Sequence, residues 1–189
     1  MFTFRKNTCS RSAEYATLII LATVVCLITP LAALGADKLS LSADRKAEIK
    51  TTLSESLQDK EISQQQYAQA LAWVEATPCN GVERQLVNNP MPRLASAIAQ
   101  QLQVKAVDVL QRYHYAGWSI VYVDTHVSDQ PYLFYSGDPL QAKHPVTLWS
   151  GAATLFETSD IEQWVLQNAP GIPKTLASCF AWHVTLNRD

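Results

Sequence analysis

The sequence lacks the short motifs that mark several common enzyme classes. It contains no Gly-x-Ser-x-Gly, no glycine-rich phosphate-binding loop and no His-Glu-x-x-His. These absences remove the usual sequence support for a nucleophile-elbow hydrolase, a nucleotide-binding enzyme and a zinc-dependent protease. The sequence therefore indicates no particular reaction, and we predict no catalytic residue, no cofactor and no bound metal.

Basic residues are few and scattered. The chain has 15 Lys and Arg against 17 Asp and Glu, which gives a net charge of −2. Residues 1–36 hold three of the basic residues and one acidic residue, so the rest of the chain carries −4. No basic stripe remains, which argues against nucleic acid as a partner. No Asn-x-Ser/Thr acceptor occurs either, which is compatible with a bacterial periplasm.

The N-terminal segment has the order of a secretory signal peptide. Basic residues come first, an apolar run follows over residues 16–34, and small residues close the run at 33–36. We therefore predict a signal peptide over residues 1–36 and a periplasmic or secreted protein. The alternative is an uncleaved anchor, because the apolar run is nearly long enough to span a bilayer. In that case the membrane would be contacted only through this segment.

Cysteine usage agrees with export. Two of the four cysteines lie in the N-terminal segment, and Cys79 and Cys179 remain after it. Two cysteines in an oxidising compartment predict one disulfide, Cys79–Cys179. The alternative is that Cys79, placed just before a predicted helix, is a nucleophile whose pKa is lowered by the helix dipole. A nucleophile would have to stay reduced while a second cysteine is available.

Residues 37–92 form the predicted N-terminal helical segment. Apolar spacing predicts a helix over 43–58, and a capping box of Ser63 and Gln66 starts a second helix after a short turn. The short turn makes the two helices an antiparallel hairpin. Asn80 is then expected to cap a short third helix.

Residues 93–189 form the predicted α+β domain. A helix from residue 93, bent near 103–105, is expected to continue to residue 113. The predicted elements after it are strands over 118–125, 131–136 and 146–150, a helix over 160–168 begun by a Ser159–Glu162 capping box, and a last strand over 178–186. The fold class is thus α+β: an N-terminal helical hairpin and helices, then a four-stranded, mainly antiparallel sheet with one helix inserted before the last strand.

The turn between the strands over 118–125 and 131–136 holds the densest group of titratable residues. Asp124 and His126 are two residues apart, so on an extended chain they face the same side, and Asp129 follows across the turn. A carboxylate and an imidazole on one side could share a metal. The alternative is that these are ordinary polar turn residues.

Aromatic residues are concentrated around the same turn. The group is Tyr113, Tyr115, Trp118, Tyr122, Tyr132, Phe134, Tyr135 and Trp149. Aromatic residues with polar tips are enriched at binding surfaces. We therefore predict a contact surface formed by Tyr132, Tyr135, His126 and Asp129. Strand alternation places apolar side chains on both faces of the strand over 131–136, so the sheet needs a cover on each face.

The sequence as a whole predicts an exported, disulfide-stapled domain that binds a protein or a cell-envelope polymer. The alternative is a cell-envelope hydrolase that uses Cys79 as its nucleophile or a metal at Asp124 and His126. The two can be separated by a thiol assay and a metal analysis.

Overall fold

The computed structural model describes residues 39–86, 91–127 and 129–188, and within them the chain forms five helices and five strands. The predicted α+β class is confirmed. In chain order the elements are α1 (Ala43–Gln58), α2 (Gln64–Glu75), β1 (Glu83–Leu86), α3 (Pro92–Leu102), β2 (Asp108–Tyr115), β3 (Trp118–Asp124), β4 (Tyr132–Ser136), β5 (Thr147–Trp149), α4 (Thr158–Asn168) and α5 (Lys174–Leu186).

The five strands form one sheet in which each strand pairs antiparallel with the next along the chain, in the order β1-β2-β3-β4-β5. The sheet therefore has five strands rather than the four predicted. Ala116 and Gly117 make the two-residue turn between β2 and β3, with φ values of 46° and 80°. Positive φ at both positions is the geometry of a tight hairpin turn, and glycine adopts it without steric cost.

The last predicted strand is wrong: residues 178–186 belong to helix α5. Every residue of α5 from Leu176 to Leu186 is buried. A helix that is buried all round has no polar face, so its sequence shows no 3.6-residue period, and a chance alternation of large and small residues resembled a strand. The length of the buried run argues for a helix, because it exceeds the usual four to eight residues of a strand.

Two predicted helical stretches are also wrong. The short helix expected from Asn80 is the strand β1, because Gly81 has φ 79° and a turn bond joins the Val82 N–H to the Cys79 carbonyl before the chain extends. The helix that begins at Pro92 ends at Gln103, whose backbone is left-handed, instead of continuing to residue 113.

Strand β2 was hidden by an irregularity in its own pattern. The pairing with β3 shifts between Val109 and Gln111, so Leu110 is an extra residue in β2. Such a bulge breaks the two-residue alternation. The apolar residues on either side of the bulge then appear at intervals of three, which is why the stretch was taken for a helix.

Helices cover both faces of the sheet. On one face, α4 and α5 pack on the aromatic side chains of β3 and β4 through residues such as Val165, Phe180 and Val184. On the other face, α3 packs Leu94 and Ile98 against β2, β3 and β4. The predicted need for two covers is met within the described chain.

The α1–α2 hairpin packs on the outer side of α5 and not on the sheet. Ile49, Leu53 and Val74 of the hairpin share a buried cluster with Cys179 and Trp182 of α5. Helix α1 has the predicted bounds, and the capping box at the start of α2 is confirmed. Since α5 lies between the sheet and this hairpin, it is surrounded by protein, which explains its complete burial.

Cys79 and Cys179 form the predicted disulfide, with their Cα atoms 4.6 Å apart. Both cysteines are buried. The bond joins the loop after α2 to the middle of α5, which is a helix and not the strand that was expected. A disulfide of this kind indicates an oxidising, non-cytoplasmic compartment.

The start of α4 differs from its prediction. The N-cap residue is Glu157, without a side-chain capping bond, so the predicted Ser159–Glu162 capping box is wrong. Ser159 instead accepts a hydrogen bond from Trp73 Nε1 at 2.9 Å, and Glu162 accepts one from the Ser178 hydroxyl. Both side chains are used to connect helices.

The predicted signal peptide over 1–36 lies outside the described residues. None of the helices in the described part of the chain combines the length and hydrophobicity needed to span a membrane. The division into a 37–92 segment and a 93–189 domain stays a prediction, although β1 of the first pairs with β2 of the second.

Candidate binding cleft

Asp124, the last residue of β3, stabilises the polar turn that follows the strand. Asp124 Oδ1 accepts the backbone N–H of His126 at 2.8 Å, a local bond that is typical of aspartate in turns. His126 has φ 57°, in the left-handed region that histidine tolerates better than most residues. The hydrogen bond therefore fixes the Asp124 side chain against the backbone of His126.

Electrostatics keep Asp124 ionised. The backbone hydrogen bond from His126 lowers the pKa of Asp124, and a hydrogen bond from Gln130 Nε2, 3.2 Å from Asp124 Oδ2, acts in the same direction. Asp124 pairs with Asp108 across the sheet. The His126 ring lies between these carboxylates, with Nε2 3.1 Å from Asp108 Oδ2 and Nδ1 3.5 Å from Asp124 Oδ1.

An open cleft of about 580 Å³ lies beside this turn. It is lined by Asp124, Asp129 and Gln130 from the end of β3 and the following turn, by Gly151 and Ala152 from the loop after β5, and by Arg188. Arg188 Nη1 donates to the Gly151 carbonyl at 3.1 Å, which joins the end of the chain to the loop after β5. The cleft thus presents two carboxylates, an amide and a guanidinium.

Tyr122 forms the aromatic part of the cleft. It lies two residues before Asp124 on the same face of β3, and its ring stacks on buried Tyr132 with centroids 4.2 Å apart and planes at 16°. Its hydroxyl donates to Gln130 Oε1 at 2.5 Å. The partly exposed Tyr122 ring is therefore fixed on both its inner face and its edge.

The four predicted contact residues do not lie together on one surface. Asp129 lines the cleft, and His126, whose side chain is 52% exposed, lies next to it through Asp124. Tyr132 and Tyr135 are each only 1% exposed and belong to the buried clusters on opposite faces of the sheet. The expectation that either tyrosine is an exposed anchor thereby loses its support.

Sequence reasoning missed three polar residues of this region: Gln130, Arg188 and Asp108. Gln130 lies in the turn itself, so its contact with Asp124 could have been anticipated from their closeness in sequence. Asp108 was placed in a helix by mistake, which removed its pairing with Asp124 from view. Arg188 carries no local signal, because only the packing of α5 brings it to the loop after β5.

The structure also bears on the two alternatives for catalysis. Cys79 is part of the disulfide, so the oxidised protein has no thiolate at this position to act as nucleophile. Within the described residues, no three His, Cys, Asp or Glu side chains come together as possible ligands of one metal ion. Asp108 lies near Asp124 and His126, but the three side chains do not form a set of ligands for one metal ion.

Comparison of the chain with protein-family models, with curated proteins and with solved structures finds no match.

Proposed function

We propose that this protein is an exported binding module that takes a hydroxyl-rich polymer of the cell envelope into the cleft beside Tyr122. The observation that carries the proposal is the composition of the cleft: a fixed aromatic ring between carboxylates, an amide and a guanidinium. No reaction is part of the proposal.

Export is supported by two independent features. The order of basic, apolar and small residues over 1–36 is that of a signal peptide, and the Cys79–Cys179 disulfide belongs to an oxidising compartment. Protein recovered outside the cytoplasm should have the intact mass of a chain that begins near residue 37. A full-length chain recovered in the membrane fraction would contradict cleavage and favour an anchor.

The chemistry of the cleft favours hydroxyl groups. The carboxylate oxygens of Asp124 and Asp129 accept hydrogen bonds, Arg188 donates them, and the amide of Gln130 can do both. The negative face of the Tyr122 ring attracts the polarised C–H groups of a sugar ring. Sites for apolar small molecules are lined mostly by hydrophobic side chains, whereas this cleft is mostly polar.

The exposure of the cleft favours a polymer over an isolated small molecule. Asp129, Gln130, Ala152 and Arg188 are all exposed, so the walls are low and open to solvent. Small-molecule sites bury most of the ligand surface. A polymer ligand can extend beyond such a cleft and contact its edges, including His126.

The binding experiment uses peptidoglycan sacculi stripped of protein as the probe, with co-sedimentation of the oxidised protein as the readout. We expect saturable retention, which Tyr122→Ala weakens about tenfold, because loss of an aromatic contact costs about 1–2 kcal/mol. Asp129→Asn should weaken it by a smaller factor. Asp59→Asn, an exposed aspartate on the turn after α1, is the matched control and should bind as the parent does.

Thermal melting of the same variants accompanies the binding curves, because Tyr122 also stacks on the core. Asp129→Asn and Asp59→Asn should both melt with the parent, so that a difference between them in binding reports the cleft alone. Equal retention of all four proteins would overturn the cleft as the site. Retention only by sacculi that keep their proteins would point to a protein partner instead.

A further inference from the structure

A second cavity, of about 320 Å³, lies on the α3 face of the sheet. Its apolar walls are Met91 and Leu94 at the start of α3 and Pro139 and Leu140 on the loop after β4. Leu140 is 38% exposed, so the loop wall of the cavity presents an apolar side chain to solvent. In volume and lining the cavity falls at the small end of the range for small-molecule sites, unlike the polar cleft beside Tyr122.

Arg112 of β2 brings a positive charge to this apolar cavity. The side chain is partly buried, and its Nη2 donates to Ser119 Oγ at 3.2 Å. Its Nε is buried and has no hydrogen-bond partner among the described residues. The two terminal Nη groups of this partly buried guanidinium have further N–H donors beyond the one bonded to Ser119, and a carboxylate in the cavity can accept them.

The hydrogen bond to buried Ser119 fixes the orientation of the Arg112 side chain. Ser119 is fully buried on β3, and its Oγ also lies 3.2 Å from His114 Nδ1. On the far side of Arg112, Glu83 and Gln85 of β1 line a small cavity of about 100 Å³ together with His114. Ser119 is too deeply buried to attack a substrate, so its role is to position the guanidinium.

The charges around the cavity favour a singly charged anion. Arg93 is exposed at the start of α3, and within the described chain neither Arg93 nor Arg112 forms an ion pair with a carboxylate. Asp138 also lines the cavity, where its Oδ1 accepts the Leu140 N–H at 3.0 Å. Glu83 lines the separate small cavity next to Arg112, so among the residues that line the 320 Å³ cavity itself two arginines and one aspartate leave a single positive charge.

The loop wall is held in place before any ligand arrives. Gln101 of α3 donates from Nε2 to the carbonyls of Pro139 and Ala142 at 2.9 and 3.0 Å. Gln101 Oε1 accepts the Tyr135 hydroxyl at 2.8 Å, which fixes the amide. A preformed wall lowers the entropy that binding must overcome.

We propose that this cavity binds a small amphipathic monocarboxylate, whose carboxylate pairs with Arg112 and whose apolar chain lies between Leu94 and Leu140. The volume equals that of about ten water molecules, which suits a chain of roughly eight to ten carbon atoms. This site is separate from the cleft beside Tyr122, and neither proposal depends on the other.

Octanoate is the probe, titrated into the oxidised, ¹⁵N-labelled protein, with octan-1-ol as the uncharged control of equal chain length. We expect saturable shifts of the Leu94 and Leu140 amide signals, and an affinity for octanoate at least tenfold above that for octanol. Sodium acetate, which has the carboxylate without the chain, should give no saturable shifts. Equal affinities for octanoate and octanol, or shifts that map elsewhere, would overturn the proposal.

Two arginine variants test the charge independently. Arg112→Gln should weaken octanoate at least tenfold and leave octanol unchanged. Because Arg112 is partly buried and its loss can disturb the fold, exposed Arg93→Gln is the second test and should weaken octanoate about threefold. Lys105→Gln removes an exposed charge beyond the other end of α3 and should change nothing. If Lys105→Gln weakens octanoate binding as much as Arg93→Gln does, the loss reflects the net charge of the protein and not a charge at the cavity, and the proposed site is refuted.

Discussion

The two faces of the sheet are covered in different ways. Against one face lie α4 and α5, with Tyr132, Phe134 and Phe180 meeting edge to face, and α5 is covered in turn by the hairpin. Against the other face lies the single helix α3, of 11 residues, on a cluster that is aliphatic except for Tyr135. The α5 face is therefore a layered core, while the α3 face is thinly covered.

The thin cover leaves room for the 320 Å³ apolar cavity on the α3 face. The start of α3 and the loop after β4 do not close over β2, and Arg112 lies at that opening. Close-packed interiors leave few voids larger than a water molecule, and this apolar volume accordingly lies at the edge of the α3 cover and not inside the core. The two faces should accordingly respond differently to the same kind of substitution.

The largest effect should come from the disulfide, which holds the α5 layer to the chain before β1. The double variant Cys79→Ser, Cys179→Ser opens a loop of 100 residues, and the chain-entropy model gives a loss of about 4–5 kcal/mol in the free energy of unfolding. Urea unfolding of the oxidised protein and of the variant measures it. The reduced parent protein should unfold with the variant, and a loss below about 1 kcal/mol would contradict the expectation.

A matched pair of leucines compares the two faces directly. Leu176 of α5 is fully buried in the layered core, whereas Leu94 of α3 borders the 320 Å³ cavity. Leucine-to-alanine changes in cores cost about 2–5 kcal/mol, depending on how far the site can collapse. Leu176→Ala should lie near the top of that range and Leu94→Ala near the bottom, by urea unfolding. Equal losses would mean that both faces are packed alike.

Tyr135→Phe removes one hydrogen bond from the α3 face without changing its packing. The loss of the bond to Gln101 should cost about 1 kcal/mol, because the Gln101 oxygen is left without its donor. Burial raises the pKa of Tyr135, so the hydroxyl remains protonated and able to donate at physiological pH. Amides near Pro139 and Ala142 should also exchange faster in the variant.

Tyr67→Phe on the hairpin is the control for Tyr135→Phe. The Tyr67 hydroxyl lies 3.4 Å from Ser54 Oγ in a partly buried position, which is a long contact. This change should leave the urea midpoint almost unaltered. If both variants lose the same stability, the Tyr135–Gln101 bond has no special role in holding the loop.

The smallest effect concerns the exposed surface of the hairpin. Lys50 and Lys46 hydrogen-bond to Glu75 at 2.6 and 2.9 Å and lower its pKa from 4.5 to about 2. A carboxyl group with a lowered pKa stabilises the fold above its unfolded pKa, and the contribution is lost as the pH falls from about 4.5 towards 2. As the pH falls over this interval, the free energy of unfolding should therefore decrease less for Glu75→Gln than for the parent protein.

Urea midpoints at pH 7 and pH 3 check the Glu75 prediction. The control is Glu61→Gln, an exposed residue on the turn between α1 and α2 that makes no ion pair within the described chain. It should follow the parent at both pH values. The effect is expected to be modest, because exposed ion pairs are screened by solvent and salt.

Local chemistry in the sequence determined several parts of this fold. The bounds of α1, the capping box at Ser63 and the strands β3, β4 and β5 all follow from interactions between residues close in sequence. The disulfide followed from counting, since only two cysteines lie after the predicted signal peptide and export predicts an oxidising compartment. Asp124, His126 and Asp129 were identified for the same reason, because their turn is a local structure.

Only the tertiary structure decided the rest. Helix α5 is buried on every side because the sheet lies on one side and the hairpin on the other, and a residue surrounded by protein leaves no polar period in the sequence. The same packing buries Tyr132 and Tyr135 on opposite faces. It also brings Arg188 to Gly151 and leaves Arg112 beside an apolar cavity. These contacts join residues far apart in the chain, and their energies depend on which surfaces meet, which no local pattern records.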